Sequence, residues 1–306
     1  MNSNQEKIGI IYTIGAYILW GFLPIYWKFI DSVSPGEILA NRIVWSFVFM
    51  IVIVLFTRNW HGFIKECKQI IKDKKALIGI SLASILISLN WLTYIWAVNT
   101  DHVIQASLGY YINPLISILL GMIILKEKLT RNQSFSFVLA GIGVLYLTFN
   151  FGVFPWISFL LAFTFGFYGL LKKMVNVSAM FGLTIETMIV TPIALIYLAA
   201  LPENAFTFGN ITTATNLLLV GAGVATAIPL LLFASGAKQI PLAMLGFLQY
   251  IAPTIMLLLG VFLYNEAFTQ AHLIAFIFIW SALIIYMLSS YKKPVRVKRD
   301  NAYKAD

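Results

Sequence analysis

Long apolar runs alternate with short polar breaks along the whole chain. A helix needs roughly 20 apolar residues to cross a bilayer. Ten segments meet that requirement: 8–30, 36–56, 76–98, 104–125, 133–149, 154–171, 179–200, 216–237, 242–264 and 270–288. The fifth and sixth have the softest edges and meet at a short turn over 150–155. None of the segments shows the period-two alternation of a membrane barrel strand. The pattern predicts an all-α membrane protein of ten transmembrane helices, with no room for an extramembrane domain. The longest break, 57–75, has the length of one short amphipathic helix lying on the membrane surface. The tail from 291 is basic and is expected to be disordered. The first apolar run is too long for a signal-peptide core, so it is expected to be kept as a helix.

Composition sharpens this reading. Hydrophobic residues make up 60% of the chain and charged ones 11%, with mean hydropathy +0.87. A soluble domain carries about 25% charge, so these charges cannot solvate a globular surface. The net charge of +9 sits in the breaks, which points to membrane orientation rather than nucleic-acid binding. With the N-terminus placed in the cytoplasm, every Lys and Arg except Lys28 and Arg42 falls on the cytoplasmic side or in the tail. Both termini are therefore expected inside the cell and the chain in the inner membrane. The single cysteine, Cys67, and the scattered His61, His102 and His272 exclude a disulfide framework and a metal cluster. No Walker A loop, HExxH or GxSxG appears. No cofactor, metal or catalytic site is expected. ATP hydrolysis within this chain is therefore not expected.

The chain also repeats itself. Tyr111-Ile112-Asn113-Pro114, Gly121, Lys126-Glu127 and Thr130 recur at one constant offset as Tyr250-Ile251-Ala252-Pro253, Gly260, Asn265-Glu266 and Thr269. A weaker echo links Gly21-Phe22 and Lys28 with Gly166-Phe167 and Lys173. The halves are then 1–150 and 151–290, followed by the tail 291–306. Five helices per half force the second half to be inverted. Inverted repeats give a transporter two equivalent end states; the plainer alternative is that duplication only builds a stable bundle.

Further stretches carry a family likeness: Trp20-Gly21 with Pro24-Ile25-Tyr26-Trp27-Lys28, Asn90-Trp91 with Trp96-Ala97-Val98-Asn99, Ala106-Ser107-Leu108-Gly109-Tyr110, and Gly246-Phe247-Leu248-Gln249-Tyr250-Ile251-Ala252-Pro253. With the duplicated pattern, these resemble the EamA repeat of the drug/metabolite transporter superfamily, and its RarD branch in particular. The resemblance implies ten helices, two five-helix repeats and a permease role.

Candidate residues follow from the cost of polarity in a bilayer. Arg42 is placed roughly 9 Å deep in the second helix and Glu186 roughly 10 Å deep in the seventh. They are read either as charges that change partner as the halves rock, or as a snorkelling arginine and a glutamate on a neighbouring hydroxyl or backbone group. Glu186 could also exchange a proton and couple transport to it. Lys28 is either an anion-attracting group at a cavity mouth or an interfacial lysine. Trp20, Asn90, Trp91, Tyr94, Tyr110, Tyr111, Asn113, Gln249 and Tyr250 either line a wet cavity or tie helices together. Pro24, Pro114, Pro192, Pro229 and Pro253 permit bends, with Pro114 and Pro253 as candidate gates. Glu127 and Glu266 are expected to hold helix ends, and Gly141, Gly143, Gly221 and Gly223 to allow close packing. The expected function is secondary export of a small organic metabolite or drug by alternating access; a non-transporting receptor or assembly factor is the alternative. The expected partners are that small molecule and the lipid bilayer. Nucleic acid is not among them, and the sequence leaves the oligomeric state open.

Overall fold

The computed structural model describes residues 3–100, 102–150, 152, 154–206, 213–265 and 269–292. Glu266, the side chains of Val98 and Asn99, and the tail beyond 292 lie outside the described residues. All regular structure among the described residues is helical. In chain order the helices are α1 (Ser3–Lys28), α2 (Pro35–Phe56), α3 (Trp60–Lys72), α4 (Lys74–Asn99), α5 (Val103–Ile123), α6 (Arg131–Asn150), α7 (Trp156–Met174), α8 (Ala179–Ala200), α9 (Ala214–Gln239), α10 (Leu242–Gln249), α11 (Ile251–Leu263) and α12 (Gln270–Lys292). Ten spans among the described residues are long and apolar enough to cross a membrane, α10 and α11 together forming the ninth.

Local chemistry sets the ends. Ser34 accepts a hydrogen bond from the Glu37 N–H at the start of α2, with Pro35 in the first helical position. Asp73 caps α4 through the Lys75 N–H, at 2.9 Å. The amphipathic α3 buries Phe63 and Ile70 against Ile80, Phe181 and Ile185, so it packs on the α4 and α8 ends rather than forming a further span. Pro253 has no N–H for the Gln249 carbonyl, and the ninth span breaks at Tyr250, between α10 and α11. α5 passes Pro114 without interruption.

The main helix contacts correspond in pairs when the first five spans are exchanged for the last five. α5 lies on α7 as α11 lies on α1, α4 on α7 as α9 on α1, and α4 on α8 as α9 on α2. The pairs α2–α8, α5–α10 and α6–α12 map onto themselves. The repeat also reaches single residues. Lys126 (φ 54°) and Asn265 (φ 55°), aligned by the sequence repeat, both take the left-handed turn that ends a helix. Each is followed by a reciprocal cap. The Thr130 N–H donates to Gln133 Oε1 and the Gln133 N–H to the Thr130 hydroxyl. Thr269 and His272 make the same exchange.

Two of the four glycines read as packing sites sit at close helix crossings. A Cβ on Gly143 would lie 2.8 Å from the Ala275 carbonyl oxygen, and one on Gly223 2.3 Å from the Trp45 carbonyl carbon. Gly221 would meet the Tyr26 hydroxyl at 2.6 Å. Gly141 faces open space and packs against nothing; small size alone does not say which face of a helix a glycine occupies.

Candidate substrate cavity

One end of the bundle carries the lysine-rich α3 and the start of α4; it is called the basic end below, and its opposite the far end. A cavity of about 160 Å³ begins in the middle of the bundle. Trp20, Arg42, Asn90, Trp91, Tyr94, Tyr110, Asn113, Gln249 and Pro253 line it, together with Tyr17, Trp27, Phe165 and Thr226. Its walls run toward the far end, where Trp27 is next to the last residue of α1 and Ala106 lies in the first turn of α5.

Arg42 does not turn outward to the membrane surface. Its Nε–H donates to the Thr226 hydroxyl at 2.9 Å. The guanidinium carbon sits 4.5 Å from the centre of the Trp27 ring and 5.1 Å from that of Trp91. The two indole faces replace part of the lost hydration. Thr226 in turn donates to the Ala222 carbonyl at 2.7 Å, which fixes its lone pairs toward Arg42.

The amides divide by role. Asn90 donates to the Leu161 carbonyl and to the Thr164 hydroxyl, both at 2.9 Å, and so ties α4 to α7 while facing the cavity. Gln249 accepts from Ser117 at 3.5 Å. Asn113 is only 5% exposed, and its Oδ1 has no protein partner. Tyr94 and Tyr110 pack edge to face, with ring centres 5.9 Å apart.

Below the cavity an aromatic floor closes the bundle. Phe233 is fully buried, with its ring centre 5.5 Å from Trp20, 5.3 Å from Phe165 and 5.9 Å from Tyr168. Tyr17 closes the same layer at 6.2 Å. Beneath the floor lies a buried ion pair, Lys172 Nζ to Glu186 Oε1 at 2.8 Å, with side chains 5% and 4% exposed. The Tyr168 hydroxyl donates to the other carboxylate oxygen at 3.3 Å. Two small voids, of about 10 and 20 Å³, flank Glu186. The larger shares Trp91 and Leu230 with the cavity wall; the smaller reaches Lys238 and Ser178 at the basic end.

The basic end is tied shut across elements. Glu127 accepts from the Leu242 N–H at 2.7 Å and the Ala243 N–H at 2.8 Å, capping α10 with a carboxylate where helix dipoles favour one. Lys173 donates to the Ala237 and Ile240 carbonyls, and Lys238 to the Val175 carbonyl at 2.8 Å. Lys172 and Lys173, read from the sequence as loop cations, are the last turn of α7, and Lys172 is buried. The sequence reading missed this partner of Glu186 because only the folded bundle brings α7 and α8 together there. It also missed Glu37, buried under the 205–206 backbone, whose Ala205 N–H donates to its carboxylate at 2.6 Å.

Five candidate residues lie off the cavity lining. Lys28 is exposed, with its ammonium 5.2 Å above the Tyr264 ring at the far end. Tyr111 is core, edge-on to Phe276 at 5.4 Å. Tyr250 is buried at the α10–α11 break, and its hydroxyl has no protein partner. Pro114 is buried inside α5, and Glu186 sits beneath the floor.

Comparison with known proteins adds a second line of support. Residues 7–149 match the EamA-like transporter family. The chain is 47% identical to the uncharacterized transporter YojE of Bacillus subtilis, over 95% of this chain and 97% of that protein. It is 42% identical to protein RarD of Escherichia coli, over 95% and 97% respectively. The chloramphenicol-sensitive protein RarD of Pseudomonas aeruginosa is 26% identical, over 90% of this chain and 92% of its own length. A crystal structure at 16% identity superposes with a TM-score of 0.69, covering 92% of this chain and 98% of the other, which speaks to the fold alone.

Proposed function

The chain belongs to the EamA-like transporter family, alongside its RarD members, and from that premise we propose that it exports a small organic metabolite or drug across the inner membrane by alternating access. It is a multi-pass membrane transporter. The Lys and Arg asymmetry favours cytoplasmic termini, and the basic end is then the cytoplasmic one. On that assignment the cavity faces outward, and the aromatic floor, the Lys172–Glu186 pair and the Glu127 cap form the inner seal. The observation that carries this reading is a mid-bundle cavity, lined by aromatic side chains and a few polar ones and closed at one end, together with the pairwise correspondence of the main helix contacts. Rocking the halves, 1–150 against 151–290, closes the far end and opens the basic one. Trp20, Asn90, Trp91, Tyr94, Tyr110, Asn113 and Gln249 are the substrate-facing residues of this proposal, with Arg42, Glu186 and Pro253 as the groups that respond to it.

Proton coupling, in this reading, runs through Glu186. The charged and titratable groups around it are Lys172 and Tyr168 from α7 and Lys238 from α9. Lys172 and Glu186 lie in the same half and move together; opening the inner seal instead wets the voids that flank Glu186, which gives a proton a route to its carboxylate.

Single cysteines at Asn90 and Tyr94, in a Cys67→Ser background, test the cavity. Expected is labelling by an impermeant maleimide from outside, with labelling from inside as the cycle turns. Absence of labelling from both sides sinks the transport cavity and favours a receptor or assembly factor. Flux in proteoliposomes that ignores a pH gradient, and is unchanged in Glu186→Gln, removes the proton.

A further inference from the structure

We propose that the cavity is built for an amphipathic organic monoanion, whose carboxylate binds the Arg42 guanidinium. This rests on the transporter reading and names its substrate class. The observation is a charge without a counterpart. Arg42 is the only lysine, arginine, aspartate or glutamate among the described residues that line the cavity. Among the described residues there is one ion pair, Lys172–Glu186, and Arg42 is in none. Its protein partners are one neutral hydroxyl and two indole faces.

Those partners do not balance the charge. A cation–π contact contributes about 0.5–2 kcal/mol, whereas taking a cation out of water costs several kcal/mol even after relaxation. A charge kept at membrane depth on such terms faces water or a counter-ion. The geometry selects the counter-ion. Thr226 takes the Nε–H, which leaves the two terminal nitrogens as a planar fork. That fork matches the two oxygens of a carboxylate. A phosphate dianion would fit the fork but leave one negative charge uncompensated in a wall that holds no second cation.

The rest of the wall describes the rest of the ligand. Trp20, Trp27, Trp91 and Phe165 offer aromatic faces to an apolar or aromatic body. Asn113 Oδ1, buried and without a protein partner, is an acceptor that needs a donor. An O–H or N–H on the ligand supplies it. A carboxylate, an aromatic body and one donor define the class.

The test uses purified full-length protein in detergent and three probes: 3-phenyllactate, its neutral amide 3-phenyllactamide, and 3-phenylpropionate, which lacks the hydroxyl. Binding is read by calorimetry and by indole fluorescence. Expected is saturable binding of phenyllactate, at least about tenfold weaker binding of the amide, and a loss of at least about tenfold in Arg42→Gln. Arg42→Lys is expected to fall between, because an ammonium keeps the charge and loses the fork. Asn113→Leu is expected to weaken phenyllactate several-fold and leave phenylpropionate unchanged. The proposal is overturned if the amide binds as tightly as the acid, if folded Arg42→Gln binds phenyllactate as wild type does, or if neither acid binds saturably. Should Arg42→Gln not fold, the acid-to-amide ratio and Arg42→Lys decide. Counterflow of phenyllactate in proteoliposomes separates the two readings. Binding without flux overturns transport and keeps the anion site. Flux of neutral or cationic solutes, with no binding of either acid, overturns the anion site and keeps transport.

Discussion

Two of the cations inside this bundle, Lys172 and Arg42, are treated in opposite ways. Lys172 lies at the basic end, buried, on the Glu186 carboxylate at 2.8 Å with its ammonium 5.5 Å above the Tyr168 ring. Arg42 lies on the other side of the aromatic floor, against a hydroxyl and two indoles, with no carboxylate. The first has everything a buried charge needs and makes a seal. The second is left short in a cavity wall and makes a binding site. The residue types fit these uses. A lysine is a point charge that one carboxylate oxygen satisfies, whereas an arginine committed at Nε still presents a planar pair of donors. What separates a structural charge from a functional one here is whether the protein completes its partners.

The largest effect expected from this contrast is on stability. Lys172→Met leaves the Glu186 carboxylate buried beside a single tyrosine hydroxyl, and losing one partner of a buried pair costs about 3–5 kcal/mol. Arg42→Met abandons no carboxylate, so it is expected to change stability by no more than about 1 kcal/mol. Thermal unfolding in detergent should place the two variants well apart. The double variant Lys172→Met/Glu186→Gln should recover most of the loss, since no uncompensated charge remains. If Arg42→Met unfolds as readily as Lys172→Met, Arg42 is a structural charge and the contrast fails.

A smaller effect is expected at the seal itself. Glu127→Gln keeps an acceptor for one of the two N–H groups of α10 but removes the negative charge from that helix end. Caps and helix-end charges each contribute about 0.5–1 kcal/mol, so a small fall in the unfolding temperature is expected. A cysteine at Phe233, in the floor, should become more reactive from the basic side in the same variant. If floor accessibility does not change, Glu127 holds only the helix end and takes no part in closing the cavity.

Much of this architecture is legible in the chain, because a bilayer forces simple patterns. The span at 179–200 was readable to the residue, and the others to within a few residues, since apolar length alone defines them. The duplicated Thr-x-x-Gln and Thr-x-x-His caps and the paired left-handed Lys126 and Asn265 show the repeat persisting in local geometry. The cavity wall was partly legible, because polar and aromatic residues inside spans are few and each needs a reason. What the chain hid was partnership. Nothing in the spacing of Lys172 and Glu186 announces a bond, and Thr226 gives no sign that it faces Arg42. Tyr111 and Tyr250 fit the cavity pattern as well as Tyr94 does, yet their helix faces turn them into the core. Period and composition set which residues are buried; which of them meet is decided by helix rotation, which single-sequence pattern does not encode.

The smallest expected effect uses Cys67 to listen to the sealed end. Its thiol sits on α3 against the cluster of Phe63, Ile70, Val177 and Ile185, one residue before Glu186 in the chain. Burial pushes the thiol pKa up, and the neighbouring Glu66 carboxylate pushes it in the same direction. A raised pKa means less thiolate at a given pH, and the thiolate is what reacts. Alkylation near neutral pH should therefore be slower than for a free cysteine and should rise with pH beyond the ordinary thiol range. Glu66→Gln removes the like charge and lowers the pKa, so alkylation at fixed pH should speed up by roughly two- to threefold. Lys172→Met, by loosening the packing that α3 rests on, should speed it further through exposure, and Arg42→Met should leave it unchanged. Iodoacetamide labelling followed by mass spectrometry measures all four proteins at once. A rate that responds equally to Lys172→Met and Arg42→Met would mean that the two cations are mechanically coupled across the floor rather than divided by it.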